Sequence, residues 1–282
     1  MSLTNRALFV IERNLNRDLS LGEIAKSCDV SRFHLAHAFG EATGLAVMQY
    51  VRGRRLTEAA YALASGADDI LSVALEYGYA SHEAFTRAFK SHFGRTPEEV
   101  RKAESVKDLT LVNAIRFVEC GGTHLEPPRI ERLGEMKFVG LGERHVYGET
   151  EQIPGQWRRF MAEYYPLIEN KTEPIPAGIT TRSEIEGELN YICAAEVSCT
   201  DAVPKGLVKL TMAPATYAVF AHNEHITRLH HTFVSIWNEW LPASGKQPAD
   251  APSFERHNPS FDPRTGEGGV TIWIPIVGCG DR

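Results

Sequence analysis

Two groups of side chains, fifty residues apart, have the chemistry to read base edges. Arg32, Phe33, Ala36 and His37 follow Ser31; His82, Glu83, Thr86, Arg87 and Lys90 follow Ser81. An arginine can donate two parallel hydrogen bonds to guanine O6 and N7. An aromatic ring can press on a thymine methyl, and a glutamate can accept from cytosine N4. A third group lies far downstream. Glu255 and His257 share one side of an extended run, with Trp157, Tyr191, Phe220, Trp237 and Trp273 as aromatic company. Ring faces attract cations, and a carboxylate in a water-poor site adds charge, so this group could hold a small cation. Glu255 with His257 could instead activate a water. A small-molecule hydrolase and a protein-interaction module are therefore the alternatives for this half, although no catalytic residue is assigned.

Metal chemistry finds little support. His222-x-x-His225 and His230-His231 are close in sequence, but no Cys or carboxylate completes a ligand set at zinc-like spacing. No P-loop, dinucleotide fingerprint, nucleophile elbow or HExxH is present, so no metal and no cofactor is expected. The five cysteines (Cys28, Cys120, Cys193, Cys199 and Cys279) are odd in number and form no CxxC pair. That favours reduced thiols in a cytoplasm over a disulfide framework. No apolar run reaches 18 residues and the N-terminus reads as an ordinary amphipathic helix, so no membrane partner is expected.

The elements that must position these residues are written twice over 20–97. A shift of 49 aligns Ser20 with Asp69, Ile24 with Val73 and Ala25 with Ala74; a shift of 50 aligns Ser31 with Ser81, Leu35 with Phe85, Phe39 with Phe89 and Gly44 with Gly94. Each copy opens on a capping residue, which accepts a hydrogen bond from an unpaired backbone N–H. A short helix, a turn and a second Ser-capped helix come next, ending at a Gly that tolerates a left-handed stop. Two short helices joined by a tight turn are the helix-turn-helix pattern. The expected helices run about 4–16, 20–27, 31–43, 46–64, 69–77 and 81–93, with a last one starting at Pro97. Leu35, Ala38 and Phe39, like Phe85, Ala88 and Phe89, form the buried stripes, which turn the base-reading groups outward. The joining helix of roughly 19 residues spans about 28 Å, close to the roughly 34 Å between successive major-groove faces.

After about residue 129 the texture changes to short β-rich runs. Strand 136–147, helix 153–169 and strands 177–182 and 189–198 are succeeded by strand 215–222, helix 226–241 and strands 253–257 and 269–276. The fold class is therefore multidomain: an N-terminal all-α domain with two helix-turn-helix motifs joined by a long helix, then a C-terminal α+β domain made of a duplicated β-α-β-β unit. The domains are 1–105 and 128–282, with 106–127 as linker, broken by Gly121-Gly122 and Pro127-Pro128. On helix 226–241, Ile226, Leu229, Phe233, Ile236, Trp237 and Trp240 share a face, and Glu239 lies off it as a rim charge.

Residues 1–105 carry 13 Lys/Arg and 13 Asp/Glu, so the net charge of −6 resides in the remainder. Phosphate attraction must come from a local face, for which Arg52, Arg54, Arg55, Arg87, Lys90, Arg95, Arg101 and Lys102 are available. The acidic remainder repels nucleic acid and suits a neutral or cationic ligand.

Ile70 through Arg101 (ILSVALEYGYASHEAFTRAFKSHFGRTPEEVR) resembles the signature of AraC-type transcription regulators, and Ser31-Arg32-Phe33-His34-Leu35 resembles the first recognition helix of their MarA/SoxS/Rob branch. The resemblance covers 4–103. It implies a seven-helix fold, double-stranded promoter DNA as partner, and RNA polymerase beside it. It also implies base reading at Phe33 and Arg87. Well-known members carry Gln and Arg at the positions of Ala36 and His37, and this chain departs from them again at Glu83 and Ala84, so its operator is expected to differ. Over 128–277, Tyr217-Ala218-Val219-Phe220, Trp237-Asn238-Glu239-Trp240-Leu241-Pro242, Phe254-Glu255-Arg256 and Trp273-Ile274-Pro275 resemble the GyrI-like (Rob/BmrR-type) effector-binding domain. That likeness implies an open pocket between the two halves of the domain, lined by aromatics and holding an acidic residue that receives a small cationic or amphipathic effector, and Glu255 is the first choice for that acid. The family often has Tyr where His257 stands, which would make this pocket less apolar and pH-sensitive. One chain carries two readers, so a monomer suffices on one site, and a homodimer is the other state considered.

Overall fold

The computed structural model describes residues 1–116, 124–147, 150–185 and 187–277. Cys120, Cys279 and the expected Gly121-Gly122 break lie outside them. The chain is multidomain, with a mainly helical unit over Met1–Phe39 and Leu45–Val118 and a sheet unit over Gly40–Gly44 and Glu119–Arg282.

The helical unit contains α1 (Leu3–Glu12), α2 (Leu21–Ser27), α3 (Arg32–Thr43), α4 (Val47–Ala64), α5 (Ile70–Glu76), α6 (His82–Phe93) and α7 (Pro97–Ala103). Local chemistry sets their ends. Ser20 Oγ accepts from the Glu23 N–H at 3.2 Å while the Glu23 carboxylate accepts from the Ser20 N–H at 2.8 Å, a reciprocal cap on α2. Thr96 and Glu99 repeat that box on α7. Asp69 accepts from the Leu71 and Ser72 amides at the start of α5, and Gly94 closes α6 with φ 72°. α1 stops at Glu12, short of the expected 16. There the Asn14 side chain donates to the Val10 carbonyl at 2.7 Å, competing with helix continuation. Leu35, Ala38 and Phe39 of α3 and Phe85 and Phe89 of α6 are fully buried. Phe85 and Phe89 stack edge-on with Tyr79 and Phe93.

Among the described residues the sheet unit has eight antiparallel strands: β1 (Arg129–Leu133), β2 (Met136–Val146), β3 (Ala177–Arg182), β4 (Glu188–Glu196), β5 (Val208–Met212), β6 (Ala215–His222), β7 (Ser253–His257) and β8 (Val270–Ile276). Their order is β1-β6-β8-β7-β3-β4-β2-β5. Six strands stand where the periodicity puts them. β1 and β5 were not anticipated, because each has only five residues and the polar ones (Arg129, Glu131, Arg132; Lys209) hide the alternation.

Those two strands shape the sheet. Only Gly134 and Glu135 separate β1 from β2, and only Ala213 and Pro214 separate β5 from β6, yet each pair sits near opposite ends of the strand order. Three residue steps reach at most about 10 Å, so the sheet must curl until its ends approach. One face is thereby enclosed, with Phe138, Ile179, Tyr217, Phe254 and Trp273 inside.

The helices cover the other face. Register pairs Leu141–Cys193, Cys193–Gly178, Gly178–Glu255, Glu255–Ile272 and Ile272–Phe220 place these six residues in one row. Helix α8 (Ile153–Arg159) continues into a π-turn whose Phe160 joins Leu141 and Cys193. Helix α9 (Leu229–Ser235) continues through a second π-turn, Ile236–Trp240, into α10 (Leu241–Ser244), and Trp240 packs on Phe220 at 4.8 Å. A π-turn adds a residue to one turn and so rotates the side chains beyond it about the helix axis. The uninterrupted helical stripe expected over 226–241 is corrected accordingly: Val234 and Asn238 are also buried. Glu239 is exposed.

Candidate functional site

In the helical unit the groups expected to read bases come directly after their caps. Ser31 Oγ accepts from the His34 N–H at 3.1 Å, and Ser81 Oγ from the Ala84 N–H at 3.2 Å. On α6, His82, Glu83, Arg87 and Lys90 are exposed and Thr86 is half-buried. Hydrogen bonds from its own backbone N–H and from Ser81 hold the Glu83 carboxyl below the usual carboxylate range, so Glu83 presents a negative charge. On α3, Arg32 is exposed while Phe33 and Ala36 are half-buried. His37 departs from the expected outward position: it is 7% exposed, its ring edge-on to Phe33 with centroids 4.4 Å apart.

The basic face also needs a correction. The Arg54 guanidinium is buried, pairing with Glu12 at 3.0 Å and Glu58 at 2.7 Å. Arg55 donates to the Leu15 carbonyl at 2.9 Å, and Arg101 pairs with Glu98 at 3.3 Å. Arg52, Arg87 and Lys90 are exposed and have no ion pair among the described residues.

In the sheet unit the aromatics and the acid partly converge. Tyr191, on β4, reaches over β3 and donates its phenolic hydrogen to Glu255 Oε1 on β7. Trp157 of α8 donates its indole N–H to the same Tyr191 oxygen at 2.9 Å. Among the described residues no donor reaches Glu255 Oε2. Glu255 is surrounded by protein yet keeps part of its surface open. Desolvation raises its carboxyl to about 7, against the lowering effect of the Tyr191 hydrogen bond. Burial and the Glu255 charge push the Tyr191 phenol well above its ordinary range, so it remains a donor. The His257 ring lies 5.3 Å from Trp157 and stacks on Phe261 at 4.0 Å. Burial lowers its pKa to about 4. Burial thus favours its neutral form.

Other candidates fall elsewhere. Trp273 stacks on Phe254 at 5.1 Å in the enclosed face, because neighbouring strand residues alternate sides and Phe254 precedes Glu255. Phe220 is in the Glu255 row but two strands away and buried under Trp240. Trp237 is buried in the second π-turn.

Two residues not singled out from the sequence build the site. A Cβ at Gly178 would stand 2.1 Å from the Tyr191 hydroxyl and 2.7 Å from Glu255 Oε1, so only glycine lets the phenol cross β3. A lone Gly inside a strand is the available signal for such a close approach. Gln156 is fully buried and donates to the Leu141 and Tyr191 carbonyls at 2.9 Å each. Its Oε1 only accepts, so His145 Nε2, 2.8 Å away, donates to it. This clamp fixes the start of α8 on β2 and β4 and sets the adjacent Trp157 over Tyr191. Nothing in the pattern Ile153-Pro-Gly-Gln156 marks it.

The histidines that invited a metal are engaged otherwise: His222 Nδ1 pairs with Thr232 Oγ1 at 2.8 Å and His225 Nε2 with the Thr265 carbonyl at 2.8 Å. Among the described residues no helix is long and apolar enough to cross a membrane.

The family described as GyrI-like small molecule binding domain matches residues 126–277, and a helix-turn-helix domain family matches residues 24–103. The transcriptional regulator Rob of Salmonella typhimurium is 26% identical, covering 94% of this chain and 93% of its own. The multiple antibiotic resistance protein MarA of the same organism is 37% identical over 32% of this chain and 72% of its own. A solved structure of SAV2435 bound to tetraphenylphosphonium aligns with a TM-score of 0.46 at 19% identity, covering 54% of this chain and 95% of that one. The chain belongs to the GyrI-like small-molecule-binding family, and ahead of that domain it carries the helix-turn-helix region of AraC-type transcription regulators.

Proposed function

We propose that this regulator senses a cationic, amphipathic effector at Glu255 and reads DNA through two helix-turn-helix motifs, α2–α3 and α5–α6. The observation that carries the sensor reading is the Trp157–Tyr191–Glu255 chain. One carboxylate oxygen is fixed by the phenol, the other accepts from no donor among the described residues, and the Trp157 indole N–H donates to that same phenol oxygen. A cation at Oε2 would be desolvated on one side by Trp157 and His257. The charge supplied would favour the ionised carboxylate that burial disfavours. A duplicated β-α-β-β unit is supported by the two π-turns, Phe160–Tyr164 and Ile236–Trp240, and by the row of register pairs, which reads alike in both directions from Gly178–Glu255.

For DNA, the proposed contacts are Arg32, Phe33 and Ala36 from α3 and His82, Glu83, Thr86, Arg87 and Lys90 from α6. The 18 residues of α4 span about 27 Å, which suits two successive major-groove faces on one duplex. A single chain then suffices for one site, and RNA polymerase is the proposed neighbour on the promoter.

Calorimetry of the full chain with methyltriphenylphosphonium, and with neutral triphenylphosphine oxide of similar shape, tests the sensor. The cation should bind, the neutral analogue should not, and Glu255→Gln should weaken the cation about tenfold or more. Equal binding to the variant would remove Glu255 from the site. Glu255-dependent breakdown of an added substrate would favour the hydrolase reading.

A further inference from the structure

The segment after α7 is more than a tether. Its first part belongs to the core of the second helix pair: Leu109 is buried among Phe85, Phe89, Phe93 and Val100, with Val106 and Leu111 packed against them. Its next part is fixed to the first half. The Val112 N–H donates to Thr57 Oγ1 at 3.0 Å and the Val112 carbonyl accepts from Arg54 at 3.0 Å. The Ile115 N–H donates to the Tyr50 hydroxyl at 3.1 Å, which itself donates to Glu12 of α1 at 2.6 Å. The Tyr50 ring packs on Phe39 of α3, centroids 5.7 Å apart.

Tyr50, Gly53, Arg54 and Thr57 lie on one face of α4, at the spacing of one helical stripe. Gly53 is the notch in that stripe: a Cβ there would stand 2.7 Å from Val112 Cγ2. The bare backbone lets the strand lie directly on the helix. Arg54, Thr57 and Tyr50 each make one hydrogen bond to this segment beside any to Glu12 and Glu58, so lifting it would leave each of them one bond short in a water-poor place.

We propose that residues 106–115 are a splint across the two helix pairs, fixing the separation and angle between the DNA-reading helices α3 and α6. One end is rooted under Phe89 of α6 and the other is tied through Tyr50 to Phe39 of α3. The long helix α4 supplies the distance, and the splint removes the bending freedom that α4 alone would keep. Val112, Gly53 and Thr57 are then positioning residues for two-groove recognition without touching DNA. This rests on DNA binding by the family and does not depend on the effector reading.

The test uses the full chain and the tightest duplex that it selects from a random-sequence pool. Two derivatives have one base pair inserted or removed between the two contacted segments. Gly53→Ala should collide with Val112 and lift the splint; Val112→Ala removes the colliding methyls, so Gly53→Ala/Val112→Ala restores docking. Gly53→Ala should weaken the selected duplex about tenfold, leave nonspecific DNA within about twofold, and flatten the penalty for altered spacing. The double variant should regain the spacing penalty. Hydrogen exchange at the Val112 and Ile115 amides reports whether the splint is lifted. Lifted amides with unchanged specific affinity and spacing penalty would overturn the proposal. So would parallel loss of specific and nonspecific binding, or a double variant no better than Gly53→Ala.

Discussion

Replacing Glu255 with Gln should stabilise the sheet unit, by an amount that grows as pH rises from about 4.5 and levels off above about 7. Burial raises the Glu255 carboxyl from the ordinary 4.5 to about 7, so the folded chain holds this proton more tightly than the unfolded chain does. As pH rises from about 4.5 the unfolded chain releases the proton first, and stability falls until the folded midpoint near 7, then levels. At about 1.4 kcal/mol per pH unit the full cost is at most about 3.5 kcal/mol. Because the carboxylate keeps part of its surface open, screening reduces this to about 1–2 kcal/mol. Gln cannot ionise and its carbonyl can still accept from Tyr191, so the variant escapes the cost. All four tryptophans, Trp157, Trp237, Trp240 and Trp273, lie in the sheet unit, and their fluorescence reports its unfolding. At pH 8 the variant should melt about 3–6 °C above the parent, with the difference vanishing near pH 4.5. A variant less stable at pH 8, or one whose gain is equal at both pH values, would refute the idea that a desolvated carboxylate is held there against its preference.

Gly178→Ala should cut methyltriphenylphosphonium affinity about tenfold, because the new methyl takes the place of the Tyr191 hydroxyl; calorimetry at constant pH reads it, and unchanged affinity would mean the phenol has another route. His257→Phe should remove an acid-sensitive limb. The folded pKa of about 4 lies below the ordinary 6.5, so the parent loses stability as pH falls from 6.5 to 4, by about 1–2 kcal/mol after screening. The Glu255 contribution is common to both proteins, so urea unfolding at pH 7 and pH 4 should show the variant gaining about 1–2 kcal/mol on the parent at the lower pH, and an unchanged difference would refute the assignment. Arg54→Met leaves Glu12 and Glu58 facing each other without their buried partner. Circular dichroism should report about 2–4 kcal/mol of destabilisation in the helical unit, and a neutral result would mean the pair is not buried in solution.

Much of the helical unit was legible because its signals are local. Ser20, Asp69, Ser81 and Thr96 act within three residues of themselves, and Leu35/Phe39 and Phe85/Phe89 repeat at helical spacing. The hidden part depends on distant partners. Arg54 reads as a surface cation until Glu12, forty-two positions earlier in the chain, closes on it. Glu255 could be chosen from the alternation of β7, but Trp273 could not be rejected, since its side depends on the pairing with Phe254. The π-turns at Phe160 and Ile236 break a period that single-sequence reasoning takes as unbroken. Gly178 carried a legible mark, a glycine within a strand, whose meaning appears only when Tyr191 is laid across it.

Dimethyl sulfate footprinting of the selected duplex probes guanine N7 in the major groove, where α3 and α6 are expected to dock. Wild-type protein should protect two clusters about one helical turn apart. Arg87→Ala should erase the α6 cluster, leave the α3 cluster in place, and weaken specific binding by about 1–3 kcal/mol with less effect on nonspecific DNA. A single protected cluster, or the loss of both together in the variant, would contradict reading by two helices.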